Sequence, residues 1–293
     1  MKPPVSRGPM DIVPLNEMLE RSARRYSSNI ALKKRTPQGW SEYTYAHLLS
    51  CVKRLANYLR KTDHSKGHFI GIIGDNSPEW VIAFMAAQWI GGVVVPLDLR
   101  AKELELSPII EHSGLKTIFA SPRFIGLLRG MIKSGDLIKD TLLVSLQEIE
   151  GFDHLPYVFG AFKDDAPRER VTLEDLAIVQ YTSGTTGNPK GVMLTHKNIS
   201  SNINAVCQAV VVDQRDRFFS VLPIHHVYES TAGNWLPLSV GASVTYSMSL
   251  KSREMMEDTR DTEPTVMLAV PLLLEKMLIG IRKRLEESPG YIK

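Results

Sequence analysis

The order of apolar segments predicts an α/β protein with mostly parallel strands. Three observations carry that reading. Short apolar runs, such as Val93–Pro96 (VVVP) and Leu176–Thr182 (LAIVQYT), alternate along the chain with segments of helical period. Helix-start chemistry sits where the period changes, most clearly at Ser77-Pro78-Glu79. The composition is that of an ordinary globular protein: 43% of the 293 residues are hydrophobic and 23% charged.

Each element follows from its own residues. Residues 44–60 read as an amphipathic helix capped by Thr44, with Leu48, Leu49, Val52, Leu55, Ala56 and Leu59 on one face. Residues 68–74 (HFIGIIG) read as a buried strand. Ser77 caps a helix running to about Gly91, and Val93–Pro96 is a second buried strand. KTIFA (116–120) and TLLVS (141–145) repeat the theme with helical sequence between them, and LAIVQYT (176–182) follows. Beyond residue 190 come helix 195–211, strand RFFSVLP, helix 226–239, strand SVTYS, helix 251–260, strand TVMLAV, and a helix from Pro271 to Glu287. Residues 150–172, charged and carrying Pro156 and Pro167, are the expected linker. The division is a flexible, proline-rich N-terminus over 1–14, a first α/β subdomain over 15–172, and a second over 173–293.

The bulk numbers exclude several classes. A net charge of +3 is too small to argue for nucleic acid. Val81–Leu97 is interrupted by Gln88, Gly91, Gly92 and Pro96 and is shorter than the roughly 20 residues that span a bilayer. Cys51 and Cys207 are far apart and read as buried free thiols. The eight histidines and two cysteines show neither C-x-x-C nor H-E-x-x-H spacing, so a protein-made metal cage is not expected. A cytoplasmic protein, with room for peripheral membrane contact, fits these features.

The stretch Gln180–His196, QYTSGTTGNPKGVMLTH, places six hydroxyl side chains, three glycines and one lysine within seventeen residues. Flanked by LAIVQYT and GVMLT, it reads as a β-hairpin whose tip could surround a polyphosphate with backbone N–H groups and hydroxyls, with Lys190 neutralising charge. It is not a Walker loop. Gly184 is followed by Thr185, Thr186, Gly187, Asn188, Pro189 and Lys190, and Gly191 rather than a hydroxyl residue follows the lysine. A second candidate is Leu222–Glu229 (LPIHHVYE), at the carboxyl end of a strand, where open α/β sheets bind ligands. Its adjacent His225 and His226 point in different directions, so one is expected to face the site. Glu79, Trp80 and His196 read as structural residues.

At these residues the chain resembles the adenylate-forming (AMP-binding) synthetase and ligase superfamily. YTSGTTGNPKG at Tyr181–Gly191 is similar to its signature loop. LPIHHVYE, together with Pro264–Lys276, resembles stretches of long-chain acyl-CoA synthetases. The implied fold is the layered, parallel-sheet α/β large N-terminal domain of that superfamily, truncated and without its C-terminal lid domain. The implied reaction is attack of a fatty acid carboxylate on the α-phosphate of Mg²⁺·ATP, then displacement of AMP by CoA. The resemblance assigns Thr182, Ser183, Gly184, Thr185, Thr186, Gly187 and Lys190 to the phosphates. Thr182 is the protein residue nearest the Mg²⁺ that arrives with ATP, and His226 lies beside the acyl carboxylate. An acyl–acyl-carrier-protein synthetase, and a non-catalytic binding protein on the same fold, are the alternatives. The superfamily's later adenine, ribose and lysine motifs are not found up to Lys293, so little catalysis is expected of this chain alone.

Overall fold

Two β-sheets share one buried helix. The structure is a computed structural model and describes residues 11–135, 141–182, 189–247 and 252–287. In chain order, α1 (Leu15–Arg25) precedes the hairpin β1 (Ile30–Thr36) and β2 (Gly39–Thr44). Then follow α2 (Tyr45–Lys61), β3 (Phe69–Ile73), α3 (Pro78–Trp89), β4 (Val93–Pro96), α4 (Glu103–Ser113), β5 (Thr117–Ala120), α5 (Pro122–Ser134), β6 (Leu142–Ser145) and α6 (Leu155–Ala161). The hairpin β7 (Leu176–Thr182) and β8 (Lys190–Thr195) leads into α7 (His196–Ala209) and β9 (Arg217–Ser220). A π-helix (Glu229–Trp235) runs into α8 (Leu236–Val240), followed by β10 (Ser243–Tyr246), α9 (Ser252–Thr262), β11 (Val266–Met267) and α10 (Pro271–Glu287).

One sheet has the order β6-β5-β3-β4-β7-β8 and the other β11-β9-β10-β1-β2. All pairings are parallel except the two hairpins, β1 with β2 and β7 with β8, so the architecture is mixed α/β. This arrangement corrects the division expected at residue 172. β7 and β8 lie beyond that point yet complete the sheet of β3 to β6, while β1, with β2 on its other side, pairs with β10 some two hundred residues later. Residues 150–172 are not a free linker. They contain α6, they bury Leu155, Val158 and Ala166, and the Ala166 carbonyl accepts the Trp89 indole N–H at 3.0 Å.

The centre of the molecule is α3. Trp80, Val81, Ile82, Ala83, Phe84, Met85, Ala86, Ala87 and Trp89 are all at most 1% exposed. A helix apolar on every side must be covered on every side. It is covered by the helices α1 and α2 and by strands of both sheets, β3 and β4 of one and β1 of the other. Trp80, Phe84 and Trp235 of the π-helix form a stacked group, with the Phe84 and Trp235 ring centroids 4.3 Å apart. Its start is the expected one: the Ser77 hydroxyl accepts the Trp80 N–H at 3.3 Å, and Pro78 occupies the first turn. Buried Gln88 donates to the Ala177 carbonyl of β7 at 2.9 Å.

Two elements depart most from their expected form. The helix expected over 226–239 begins as a π-helix, with the Leu236 N–H bonded to the Thr231 carbonyl five residues back. Its causes are local. Pro237 has no N–H to offer the carbonyl of Gly233, and the Asn234 amide donates to the Glu229 carbonyl at 3.2 Å, competing with the regular ladder. The strand expected over 265–270 is reduced to Val266–Met267 at the sheet edge. Replacing Phe84 by Ala should lower the free energy of unfolding by roughly 3–5 kcal/mol, measured in urea, because the aromatic stack leaves a cavity that its neighbours from both sheets cannot fill.

Candidate functional site

The parallel strands of both sheets deliver their carboxyl ends to the residues singled out from the sequence. The β7–β8 hairpin forms as expected and pairs Thr182 directly with Lys190 across the root of the glycine loop. Both side chains are exposed, so a hydroxyl and an ammonium flank the loop on opposite strands. Ser183, Gly184, Thr185, Thr186 and Gly187 lie outside the described residues. Gly191 is required by close approach: a Cβ there would stand 2.7 Å from the Val179 side chain, and Tyr181 lies over it at 3.4 Å. Tyr181 Oη is 2.7 Å from His112 Nδ1 of α4, tying the hairpin root to a neighbouring helix.

The register places a second group at the same end of the sheet. Val94 pairs with Ile178 in parallel, so Asp98 and Thr182, each four residues farther on, leave the same edge. Asp98 Oδ1 is 3.4 Å from His225 Nε2. Burial opposes the Asp98 charge, but the Arg100 N–H, the imidazolium that His225 forms only in acid, and the Arg100 charge hold its carboxyl below the usual range. Burial, aided by His226, lowers His225 to about 4, so His225 is neutral at pH 7.

The two histidines diverge. His225 is 2% exposed and neither ring nitrogen has a hydrogen-bond partner, whereas His226 is exposed, with the ring centroids 4.3 Å apart. The His226 N–H closes a turn on the Pro223 carbonyl at 3.0 Å, and its own carbonyl accepts the Ser230 N–H at the start of the π-helix. His196 is a packing residue, as its sequence context suggested. It is 1% exposed, its Nδ1 accepts the Leu15 N–H at 3.2 Å, and burial lowers it to about 4. Glu79 pairs with Lys34 and Trp80 is buried, so both are structural.

Sequence reasoning did not single out Asp98, Ser220 or Glu229. Glu229 is 1% exposed, and its Oε1 accepts the Ser220 hydroxyl at 2.6 Å while Oε2 has no partner. Its carboxyl folds back over Gly233, where a Cβ would come within 2.8 Å of it. The available signal was an acid inside a helix otherwise made of core residues. Burial raises the Glu229 carboxyl to about 7, although the Ser220 bond favours the charge. Among the described residues no group of three or more His, Cys, Asp or Glu could hold a metal ion, and no helix is long and apolar enough to cross a membrane.

This α/β frame, carrying a hydroxyl- and lysine-flanked hairpin beside a strand-end histidine segment, has counterparts among known proteins. The AMP-binding enzyme family model matches residues 19–290, and the chain belongs to that family. It is 29% identical over 313 aligned positions to long chain acyl-CoA synthetase 2 of Arabidopsis thaliana, covering 97% of this chain and 46% of that protein. It is 27% identical to a chloroplastic long-chain-fatty-acid–acyl-carrier-protein ligase of the same plant, covering 91% of this chain and 39% of that protein. Among solved structures, a long-chain-fatty-acid–CoA ligase (FadD1) from Archaeoglobus fulgidus superposes with a TM-score of 0.84. It is 21% identical and covers 97% of this chain and 57% of its own, a likeness of fold. The chain thus spans less than half the length of these curated relatives, and the match lies in their N-terminal part.

The raised Glu229 carboxyl has a stability consequence. Below pH 4.5 the acid is protonated both folded and unfolded; between 4.5 and about 7 only the unfolded chain releases the proton, so stability falls as pH rises through that window. Glu229→Gln keeps an acceptor for Ser220 and removes this loss. The variant should gain up to roughly 3 kcal/mol over the parent between pH 5 and pH 8 in urea unfolding. An identical pH dependence in the two proteins would contradict the burial argument.

Proposed function

We propose that this chain is the nucleotide- and acyl-handling part of an ATP-dependent fatty acid–CoA ligase. The observation that carries the proposal is the family match over residues 19–290 together with the signature-like loop set on a hairpin whose roots, Thr182 and Lys190, face each other and solvent. That donor set suits a polyphosphate: hydroxyls, backbone N–H groups and one cation, on a loop rich in glycine. It does not suit a protein-made metal cage, and Mg²⁺ is expected to enter on the substrate, held by phosphate oxygens and water with Thr182 nearest.

In this reading a carboxylate oxygen of the fatty acid attacks the α-phosphorus of ATP, the bond to the β-phosphate bridge breaks, and pyrophosphate leaves. A thiol, that of CoA, then attacks the acyl carbon, gives up its proton, and expels AMP. The protein supplies position and charge rather than a nucleophile. Thr182, Ser183, Thr185, Thr186 and Lys190 hold the departing phosphates. His226, exposed in the turn between β9 and the π-helix, stands beside the reacting carboxylate. The carrier-protein ligase among the relatives supports a second reading, in which a carrier-protein thiol replaces CoA.

Fatty-acid-dependent exchange of labelled pyrophosphate into ATP tests the reaction, measured for this chain and for any longer product of the same reading frame. Exchange in neither would defeat the ligase reading. For the loop, Lys190→Ala should weaken ATP binding by roughly 10–100-fold in calorimetric titration, the loss expected for a charged hydrogen bond. Unchanged affinity would remove Lys190 from the phosphate site.

A further inference from the structure

Asn76 follows β3 and precedes the Ser77 cap of α3, yet its side chain is committed to the other sheet. Its amide nitrogen donates to the Ser220 hydroxyl at 2.9 Å and to the Leu222 carbonyl at 2.6 Å. Its amide oxygen accepts the Ile224 N–H at 2.9 Å. Ser220, at the end of β9, in turn donates a hydrogen bond from its hydroxyl to Glu229 Oε1 at 2.6 Å. One connected network therefore grips the His225–His226 segment on both sides. It holds Leu222 and Ile224 before the histidines and Glu229, the first residue of the π-helix, after them.

The chemistry of this grip is specific to an amide. Two donations and one acceptance are needed from one short side chain. An aspartate would keep the acceptor for Ile224 but set a carboxylate against the Leu222 carbonyl. A packing residue would satisfy none of the three partners. Ser220 and Glu229 are buried, so network members left without partners cannot turn to water for compensation.

We propose that Asn76, acting through Ser220 and the Leu222–Ile224 backbone, is a positioning residue that sets the orientation of His226 at the carboxyl edge. The role in catalysis rests on the ligase reading; the positioning itself does not. No feature of the Asn76–Glu229 network needs ATP, CoA or a fatty acid to form.

The test uses the 293-residue chain without ligand. Amide hydrogen exchange at Ile224 and the ring-proton shifts of His226 are followed by nuclear magnetic resonance, beside global stability in urea. In Asn76→Ala the Ile224 amide should exchange roughly 10–100-fold faster, beyond any change at Ile82 in the middle of α3, and the His226 ring signals should move. Asn76→Asp, close in size and able to carry the test if the alanine variant does not fold, should keep Ile224 protected while the His226 signals still move. Ile224 exchange that is unchanged, or that changes only in step with Ile82, would overturn the proposal, as would unmoved His226 signals. The ligase reading fails by a different result, the absence of pyrophosphate exchange, so the two can be told apart.

Discussion

Burial of α3 on every face is the constraint on which the rest of the molecule depends. A twelve-residue helix that carries Trp80, Val81, Ile82, Phe84, Met85 and Trp89 has no side to show to water. One sheet can cover only one face of it. The second sheet, assembled from β1 and β2 near the start of the chain and β9 to β11 much later, supplies the opposite cover. The chain crosses between sheets to meet this demand, which is why no single cut in the sequence separates them.

The same helix organises the chemistry. Its N-terminus follows the carboxyl end of β3, so Asn76 emerges at the seam between sheets and bonds to Ser220, Leu222 and Ile224. At its other end Gln88 and Trp89 anchor to Ala177 and Ala166. Trp235, stacked on Phe84, fixes the π-helix whose first residue is Glu229. The histidine segment thus lies between two points referred to one rigid core. Its position relative to Asp98, and through the β4–β7 register to the root of the loop, follows from that core. A π-helix is a costly irregularity, and here it accompanies a buried carboxyl and a glycine that makes room for it.

Much of this was legible in the sequence where local chemistry decides the outcome. Thr44 and Ser77 cap their helices as side-chain chemistry requires. Val93–Pro96 and Leu176–Thr182 are strands with the expected bounds, and the loop sits on the expected hairpin. Features that depend on distant partners were not legible. The β1 sequence IALKKRT is half polar and becomes a strand by pairing with β10. Asn76 looks like part of a helix start, and its partners lie 144 to 148 residues away. The π-helix depends on the Asn234 side chain competing for a carbonyl, which apolar periodicity cannot register. For the candidate site, the loop and the histidine pair were visible as motifs, whereas Asp98, Ser220 and Glu229 acquire meaning only from the geometry around them.

Native-state hydrogen exchange against increasing denaturant tests the shared core most directly. If α3 is the common centre, the amides of α3, of β3 in one sheet and of β9 in the other should merge into a single opening with the same free energy and the same denaturant dependence. Exchange of β3 and β9 through two separate openings, with α3 following only one of them, would contradict the account.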